Sequence, residues 1–497
     1  MNNYLILIVV APLLSALLAG LFVWIKEKVS YYIALLGLFI AFFSAYKVMI
    51  HVIEFGTIQY KMAGWSPPMG IEYRIDLLNA MVLFVITGIA FLNLIASFKS
   101  VEKETKDRTG SFYAIYLLFV TGLIGVTASG DLFNLYVLIE ITSLTSYAMI
   151  ALGDKNRAAL SSLNYVFLGV IGASFYLLGV GYLYLATGTL NMMDLSKMLF
   201  KLNNSSIILT GFILCMVGVW IKMALFPMHL WLPNAYSYSP IAFSRVVAPL
   251  MTKVMVYVMI RLMISVFGFD YIFNTLNLAD TIVWLASIAV IAGSVMALGQ
   301  KDLKKMLCYI IICEIGYMVG GAWLGTKAGM TGAILHILND ALMTFALFLS
   351  VGSMAYTLSD VRFVDIKGLF AKMPWTMAGF VIAALSIIGV PPTCGFFSKW
   401  YLILAAFEKG SYHFAAALIV SSLICAVLFF KVFEICFFEK SSEDILTSSN
   451  QKPYNNSIIK EAPLSMLIIS GIVSICLIAA GLYSKTIVDT IINPFLG

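Results

Sequence analysis

Lys222 stands in VGVWIKMALFPMHLWLP (217–233), an apolar run, five positions before the helix-breaking Pro227. Six more ionisable side chains share this placement. Glu140 falls in GDLFNLYVLIEITSLTSYAMIALG (130–153) and Lys253 in APLMTKVMVYVMIRL (248–262). Glu314 falls in LCYIIICEIGYMVGG (307–321), His336 and Asp340 in ILHILNDALMTFALFLSVG (334–352), and Lys399 just after GVPPTCGFFS (389–398). An ionised group in hydrocarbon costs at least ~2.5–3.5 kcal/mol on insertion scales, so each needs a partner or a task. The task open to such a set is carrying a proton or a cation. At ~7 Å and an effective dielectric near 20, a carboxylate stabilises an ammonium by ~2.4 kcal/mol. Moving the acid toward or away from the lysine then loads or unloads one proton.

The bland readings are specific too. One buried Lys–Glu pair serves equally well as a structural clamp. A single histidine packs in many cores, and Glu314 has Tyr309 and Tyr317 as near neighbours in sequence to bond. His336 and Asp340, at i and i+4, share a helix face and are expected to touch. Number decides between the readings: three lysines, two glutamates and a His–Asp pair at one depth favour a proton or cation path.

The elements that position these residues are transmembrane helices. The 497 residues are 61% hydrophobic and 11% charged, with mean hydropathy +0.97, where a soluble chain carries about 25% charged residues. Fourteen spans are expected: 4–25, 31–53, 76–98, 112–129, 131–152, 159–186, 206–237, 241–265, 281–299, 306–325, 328–356, 375–407, 412–438 and 464–484. They are too long and continuous for barrel strands, so the fold class is an all-α polytopic membrane protein. Spans seven and twelve are long and carry Pro227 and Pro233, and GVPPTCGFFSK (389–399). Proline removes a donor and clashes with the preceding turn, so both helices are expected to break.

Other function classes lose ground on composition. The net charge of +6 is spread over loops without a basic block, which leaves nucleic acid no footprint. The N-terminus lacks the positive region of a signal peptide, so its apolar run is read as the first span. Seven cysteines without a CxxC pair and four scattered histidines give no metal or iron–sulfur set. There is no Walker or dinucleotide-type glycine loop. No cofactor and no metal are expected.

With the N-terminus outside, the inner loops and span ends collect about nineteen of the 31 lysines and arginines, among them Lys99, Lys103, Lys106, Arg108, Lys301, Lys304 and Lys305. That bias predicts both termini outside a cell membrane. Taking 112–265 (spans four to eight) and 281–438 (spans nine to thirteen) as two units puts a broken helix fourth in each. Five is odd, so the second unit enters the membrane inverted, a layout of many ion-coupled transporters. Residues 1–111 hold the first three spans, and 439–497 a polar loop and the last span.

At these residues the chain resembles the antiporter-like subunits of complex I, the multi-subunit Mrp Na⁺/H⁺ antiporters and the membrane-bound hydrogenases. The matching stretches are GDLFNLYVLIE (130–140), IKMALFPMHLWLPNAYSYSP (221–240), Lys253, DLKKMLCY (302–309), HILNDALMTFALFLSVG (336–352) and GVPPTCGFFSKW (389–400). The D-type component of the Mrp antiporters and its hydrogenase counterpart look closest, partly because of Lys399. The resemblance implies a coupled pair Glu140–Lys222, a relay through Lys253 and His336, and Lys399 leading to one side of the membrane. It also implies fourteen helices with two inverted five-helix units, and partners that include antiporter-like paralogues. Two departures stand out. Thr344 occupies a place where the family often has lysine, with Asp340 in place of a common second histidine. Glu314 replaces a usual glutamine. By position in the repeat, Glu314 answers to Glu140 and Lys399 to Lys222, which makes Glu314–Lys399 an expected second acid–base pair. The relay is then expected to run through His336–Asp340 and water.

The sequence thus reads as one component of a larger complex that moves protons, or exchanges them for Na⁺, without a redox centre of its own. The parent is a hydrogenase, an NADH:quinone oxidoreductase-like enzyme or an Mrp antiporter. The alternative is a structural scaffold with static ion pairs.

Overall fold

The computed structural model describes residues 2–23, 27–105, 108–202, 205–439 and 460–497. Lys106 and nearly all of the polar loop expected at 439–461 lie outside the described residues. The helices are α1 (Asn2–Phe22), α2 (Glu27–Phe55), α3 (Leu77–Thr105), α4 (Thr109–Ala128), α5 (Leu132–Ala151) and α6 (Ala158–Thr187). A short amphipathic α7 (Met192–Leu199) precedes α8 (Ser206–Met223), α9 (Leu232–Tyr238) and α10 (Ile241–Arg261). Then come α11 (Ala279–Leu298), α12 (Leu303–Trp323), α13 (Lys327–Leu358), α14 (Leu369–Lys372), α15 (Pro374–Ile388), α16 (Cys394–Lys409), α17 (Tyr412–Phe438) and α18 (Leu464–Leu482). Among the described residues, thirteen of these helices are long and apolar enough to cross a membrane. The place of the expected twelfth span is taken by α15 and α16 in series. The polytopic helical fold is therefore as the composition required.

Both expected breaks are present, and they share one local design. α8 ends at Ala224 and α15 at Gly389, each in the left-handed region with φ of 62° and 93°. The next amide reaches back over the turn, Leu225 N to Trp220 O and Val390 N to Leu385 O, each at 3.0 Å. These bonds satisfy carbonyls that a terminated helix leaves unpaired. Trp231 Nε1 also donates to Ile221 O at 3.1 Å, across the first break. Gly389 takes up its backbone conformation without strain, whereas Ala224 costs about 1–2 kcal/mol to hold there.

The bundle has a distinct centre. In α10, α12 and α13, 89–94% of the apolar window is buried inside the protein, against 39% in α1, α2, α6, α17 and α18. Backbone polar groups are satisfied within each helix, so what singles out the central three is their side chains. They carry Lys253, Glu314, His336 and Asp340. The structure adds one antiparallel hairpin to the expected elements: β1 (Ile58–Lys61) pairs with β2 (Glu72–Ile75), Ile58 opposite Ile75. It connects α2 to α3 and packs against α1, α3 and α4.

α3 holds α10 at both ends. Just ahead of α3, Asp76 takes a bidentate contact from Arg261, with Nη1–Oδ2 2.6 Å and Nη2–Oδ1 2.9 Å. In the last turn of α3, Glu104 Oε2 accepts the Ile241 amide at 2.8 Å, capping the start of α10.

Candidate functional site

The seven intramembrane ionisable residues, all buried except the partly exposed Glu140, gather into three stations. In the first, Lys222, in the last turn of α8, places its ammonium 3.1 Å from Glu140 Oε1 and 2.7 Å from Ser143 Oγ on α5. Ser143 lies one turn beyond Glu140, so one face of α5 supplies both acceptors. Lys222 is 2% exposed, but Glu140 is 22% exposed on the outer face of α5.

The second station joins α10 to α13. Lys253 Nζ stands 2.9 Å from Asp340 Oδ2 and 3.3 Å from Thr344 Oγ1, and it also donates to Ala248 O at 3.3 Å. Thr344 Oγ1 donates in turn to Asp340 Oδ1 at 2.8 Å. Thr344, a departure from the family pattern, is thus a bridge between the lysine and its acid.

The third station joins α12, α13 and α16. His336 Nε2 is 2.6 Å from Glu314 Oε2, and His336 Nδ1 is 2.8 Å from Ser398 Oγ. Glu314 Oε1 lies 3.6 Å from Lys399 Nζ. Lys399 also donates to Ile387 O and sits over the Tyr317 ring, 4.8 Å from its centroid. Tyr317 is held by a 2.6 Å contact between its hydroxyl and Ser421 Oγ of α17.

One expected contact is absent. His336 and Asp340 share a face of α13 but do not bond. Both ring nitrogens of His336 are taken by Glu314 and Ser398, and both oxygens of Asp340 by Lys253 and Thr344. Each side chain turns to a different neighbouring helix, because tertiary partners offer better geometry than the i, i+4 neighbour. Nor does Glu314 bond Tyr309 or Tyr317. Glu314 and Lys399 do face each other. Their correspondence with Glu140 and Lys222 is by span rather than by helix position: Lys222 comes two residues before its break, whereas Lys399 follows its own. Lys399 reaches back across that break to the carbonyl of Ile387, which itself stands two residues before Gly389.

Other residues belong to this interior without standing out in the sequence. Ser143 and Ser398 each complete a station. His229, between α8 and α9, is buried, stacks on Phe226 and leaves Nδ1 without a partner. The signal that could have found it is the Lys-x(4)-Pro-x-His pattern that begins at Lys222. Arg245, four residues into α10, is fully buried too. Among the described residues, no three His, Cys, Asp or Glu side chains converge as metal ligands.

Chemically, the stations can hold and pass protons. Each brings a base and a carboxylate together with a hydroxyl, that of Ser143, Thr344 or Ser398. At the edge of the bundle, burial alone would push the Asp76 carboxyl up, but the charge and hydrogen bonds of Arg261, with the backbone amides of Leu78 and Asn79, outweigh it and hold Asp76 below the usual aspartate range.

The comparisons with known proteins bear on the fold and the family. A family model described as the transmembrane region of NADH:quinone oxidoreductase and Mrp antiporter matches residues 129–425. The N component of the NADH-quinone oxidoreductase of Desulforudis audaxviator is 38% identical over 491 residues, covering 98% of this chain and 97% of that one. The D component of the Na⁺/H⁺ antiporter of Alkalihalophilus pseudofirmus is 31% identical over 452 residues, 89% of each chain. Among solved structures, a chain of an archaeal membrane-bound sulfane sulfur reductase aligns with TM-score 0.87 at 28% identity, covering 98% of this chain and 96% of that one. A chain of the Mrp complex of a Dietzia species aligns with the same TM-score at 21% identity, over 99% and 97% of the two chains, and shows the shared fold.

Proposed function

The chain belongs to the family of NADH:quinone oxidoreductase and Mrp antiporter membrane subunits, and from that premise we propose that it translocates protons through its three buried acid–base stations. It is an antiporter-like subunit of a multi-subunit membrane complex, and exchange of H⁺ for Na⁺ fits the same residues. The observation that carries the reading is that each of Lys222, Lys253 and Lys399 is buried and faces a carboxylate: Glu140, Asp340 and Glu314. Lys222 acts as the switch, keeping its proton while Glu140 is close and releasing it when that acid withdraws. Lys253, Asp340 and Thr344 receive the charge, and Glu314, His336 and Lys399 pass it to one face of the membrane.

Two five-helix units, 112–265 and 281–438, are part of this proposal. Support comes from the start of the fifth and tenth spans. Asp131 caps α5 by accepting Asn134 N at 2.8 Å, and Asp302 caps α12 by accepting Lys305 N at 3.0 Å. Each aspartate also pairs in an antiparallel bridge with the segment that follows the next span, Asp131 with Asn191 and Asp302 with Arg362. The following amides, Leu132 and Leu303, bond Leu190 O and Val361 O at 2.9 and 3.0 Å. One device recurring at equivalent places in the two units supports the repeat. By the lysine and arginine count, the protein lies in the cell membrane with both termini outside.

The partial exposure of Glu140 supports a neighbouring subunit over α5 and α6. A carboxylate that faces acyl chains is costly, whereas one covered by a polar partner is not.

Lys222→Ala in the assembled complex is the direct test. Proton uptake by sealed vesicles should fall to background while the variant still assembles. A second reading, a static scaffold, draws on the fact that all three pairs are closed. Near-normal pumping by Glu140→Gln would establish it.

A further inference from the structure

We propose that a water-filled route enters the protein beside Glu104 and reaches Lys253 along one face of α10, with Glu104 as the residue that exchanges protons at its mouth. The proposal adds a supply route to the proton-translocation reading and rests on it.

The mouth is a cavity of about 100 Å³ lined by Glu104, Ser237, Ser239, Ile241 and Lys304, with the exposed Asp154 at its rim. Glu104 caps α10 through Oε2 and shares the cavity wall with Lys304 and Asp154. A cap is in itself a structural role. What points further is the row of polar atoms that leads inward from it.

Arg245 follows Ile241 by one turn on α10. It is fully buried, yet its Nε and Nη1 have no partner in the protein, and Nη2 donates only to the thioether of Met466 at 3.5 Å. Gly352 of α13 makes room for it, since a Cβ there would collide with the guanidinium. One turn further on is Pro249, which has no N–H to offer the carbonyl of Arg245. Next comes Thr252, fully buried with its Oγ1 unpaired, and beside it Lys253. Residues 241, 245, 249 and 252 recur at helical spacing, so these groups share a face. On α3, Asn93, Ser97, Ser100 and Glu104 form a matching stripe at spacings of four, three and four residues. Ser100 Oγ is buried and unpaired as well, and Asn93 Nδ2 donates to Ala242 O at 2.9 Å, which fixes the two faces together.

Buried polar groups in folded proteins are nearly always hydrogen-bonded, and those that protein atoms leave unpaired bind water. Here they line up between an open cavity and a lysine of the path. The twelve steps from Ile241 to Lys253 span about 18 Å of helix, roughly half the thickness of a bilayer core. A file of waters along them delivers protons from one face to the second station.

The test uses the complete complex in sealed membrane vesicles carrying Thr252→Cys, with the face identified by an Asp154→Cys marker. Ag⁺, small enough for a single file of water, is added to one face, and thiols left free are then counted with a maleimide in detergent. Protection of the Thr252→Cys thiol should be at least tenfold faster from the Asp154 face than from the other. Equal rates, or no protection, overturn the route. Glu104→Gln should slow proton translocation at least tenfold while Glu104→Asp keeps most of it. Wild-type rates in Glu104→Gln remove that residue from the mouth. Because the labelling does not depend on pumping, it decides the route even if Glu104→Gln fails to assemble. If Lys222→Ala pumps normally while the thiol is still reached, the proposed function falls and the water route stands.

Discussion

Glu314 holds His336 at 2.6 Å in a site where neither side chain is exposed, and with its other oxygen it faces Lys399 at 3.6 Å. One carboxylate therefore serves two bases on two different helices. In the proposed path this shared carboxylate is what couples the two bases. Such coupling is what a relay needs.

Glu314→Gln tests it. The amide is close in shape and still hydrogen-bonds His336, but it cannot carry the charge that ties the two bases together. The complex should assemble in normal amount and translocate protons at least tenfold more slowly. Proton uptake by vesicles measures this, and an unchanged rate would remove Glu314 from the path.

Lys222→Arg separates a switch from a clamp. Guanidinium keeps its proton under essentially all conditions and makes a good ion pair with a carboxylate. If the Glu140 contact only holds α5 to α8, arginine should preserve function. If Lys222 must release its proton, the variant should assemble normally and lose at least nine-tenths of proton translocation, as read by a pH dye in vesicles.

Asp340→Asn leaves Lys253 with Thr344 and a backbone carbonyl for company. Breaking a buried pair from one side costs about 3–5 kcal/mol, so the complex should melt at lower temperature and stop pumping. The double variant Asp340→Asn with Lys253→Met removes the uncompensated charge. It should recover most of the lost thermal stability and none of the pumping. Recovery of both would show that the pair is structural.

Much of this arrangement is legible in the sequence because lipid imposes simple rules. Long apolar runs mark the spans, and the prolines at 227, 391 and 392 mark the two breaks. The buried charges stand out against hydrocarbon. The pairing of those charges is not legible throughout. His336 and Asp340 are neighbours on a helix face, but which of them meets Glu314 and which Lys253 depends on how α10, α12 and α16 rotate around α13. That rotation is set by packing between distant segments, which periodicity does not encode. Arg245 does not stand out because it lies only four residues into α10, where an arginine ordinarily reaches the membrane surface. Its burial comes from α13 and α18 closing over it. The β1–β2 hairpin is hidden because two four-residue strands within a polar connection carry almost no pattern.

The Asp76–Arg261 contact allows a prediction about stability and pH. Asp76 is held below the usual aspartate range because the charge and hydrogen bonds of Arg261, together with the amides of Leu78 and Asn79, outweigh its burial. A depressed carboxyl binds its proton less readily folded than unfolded. Its stabilisation is therefore complete above the unfolded value, about 3.9, and is lost only as pH falls through the lower folded value. The pair also joins α3 to the end of α10, the helix that carries Lys253. Asp76→Asn should lower the melting temperature of the detergent-solubilised complex, at a cost of about 2–4 kcal/mol for a largely buried bidentate pair. The difference from the native protein should stay constant from pH 8 to about 5 and narrow only in stronger acid. A gap that already closes between pH 8 and 6 would mean that a different group, and not Asp76, fastens α10 at this end.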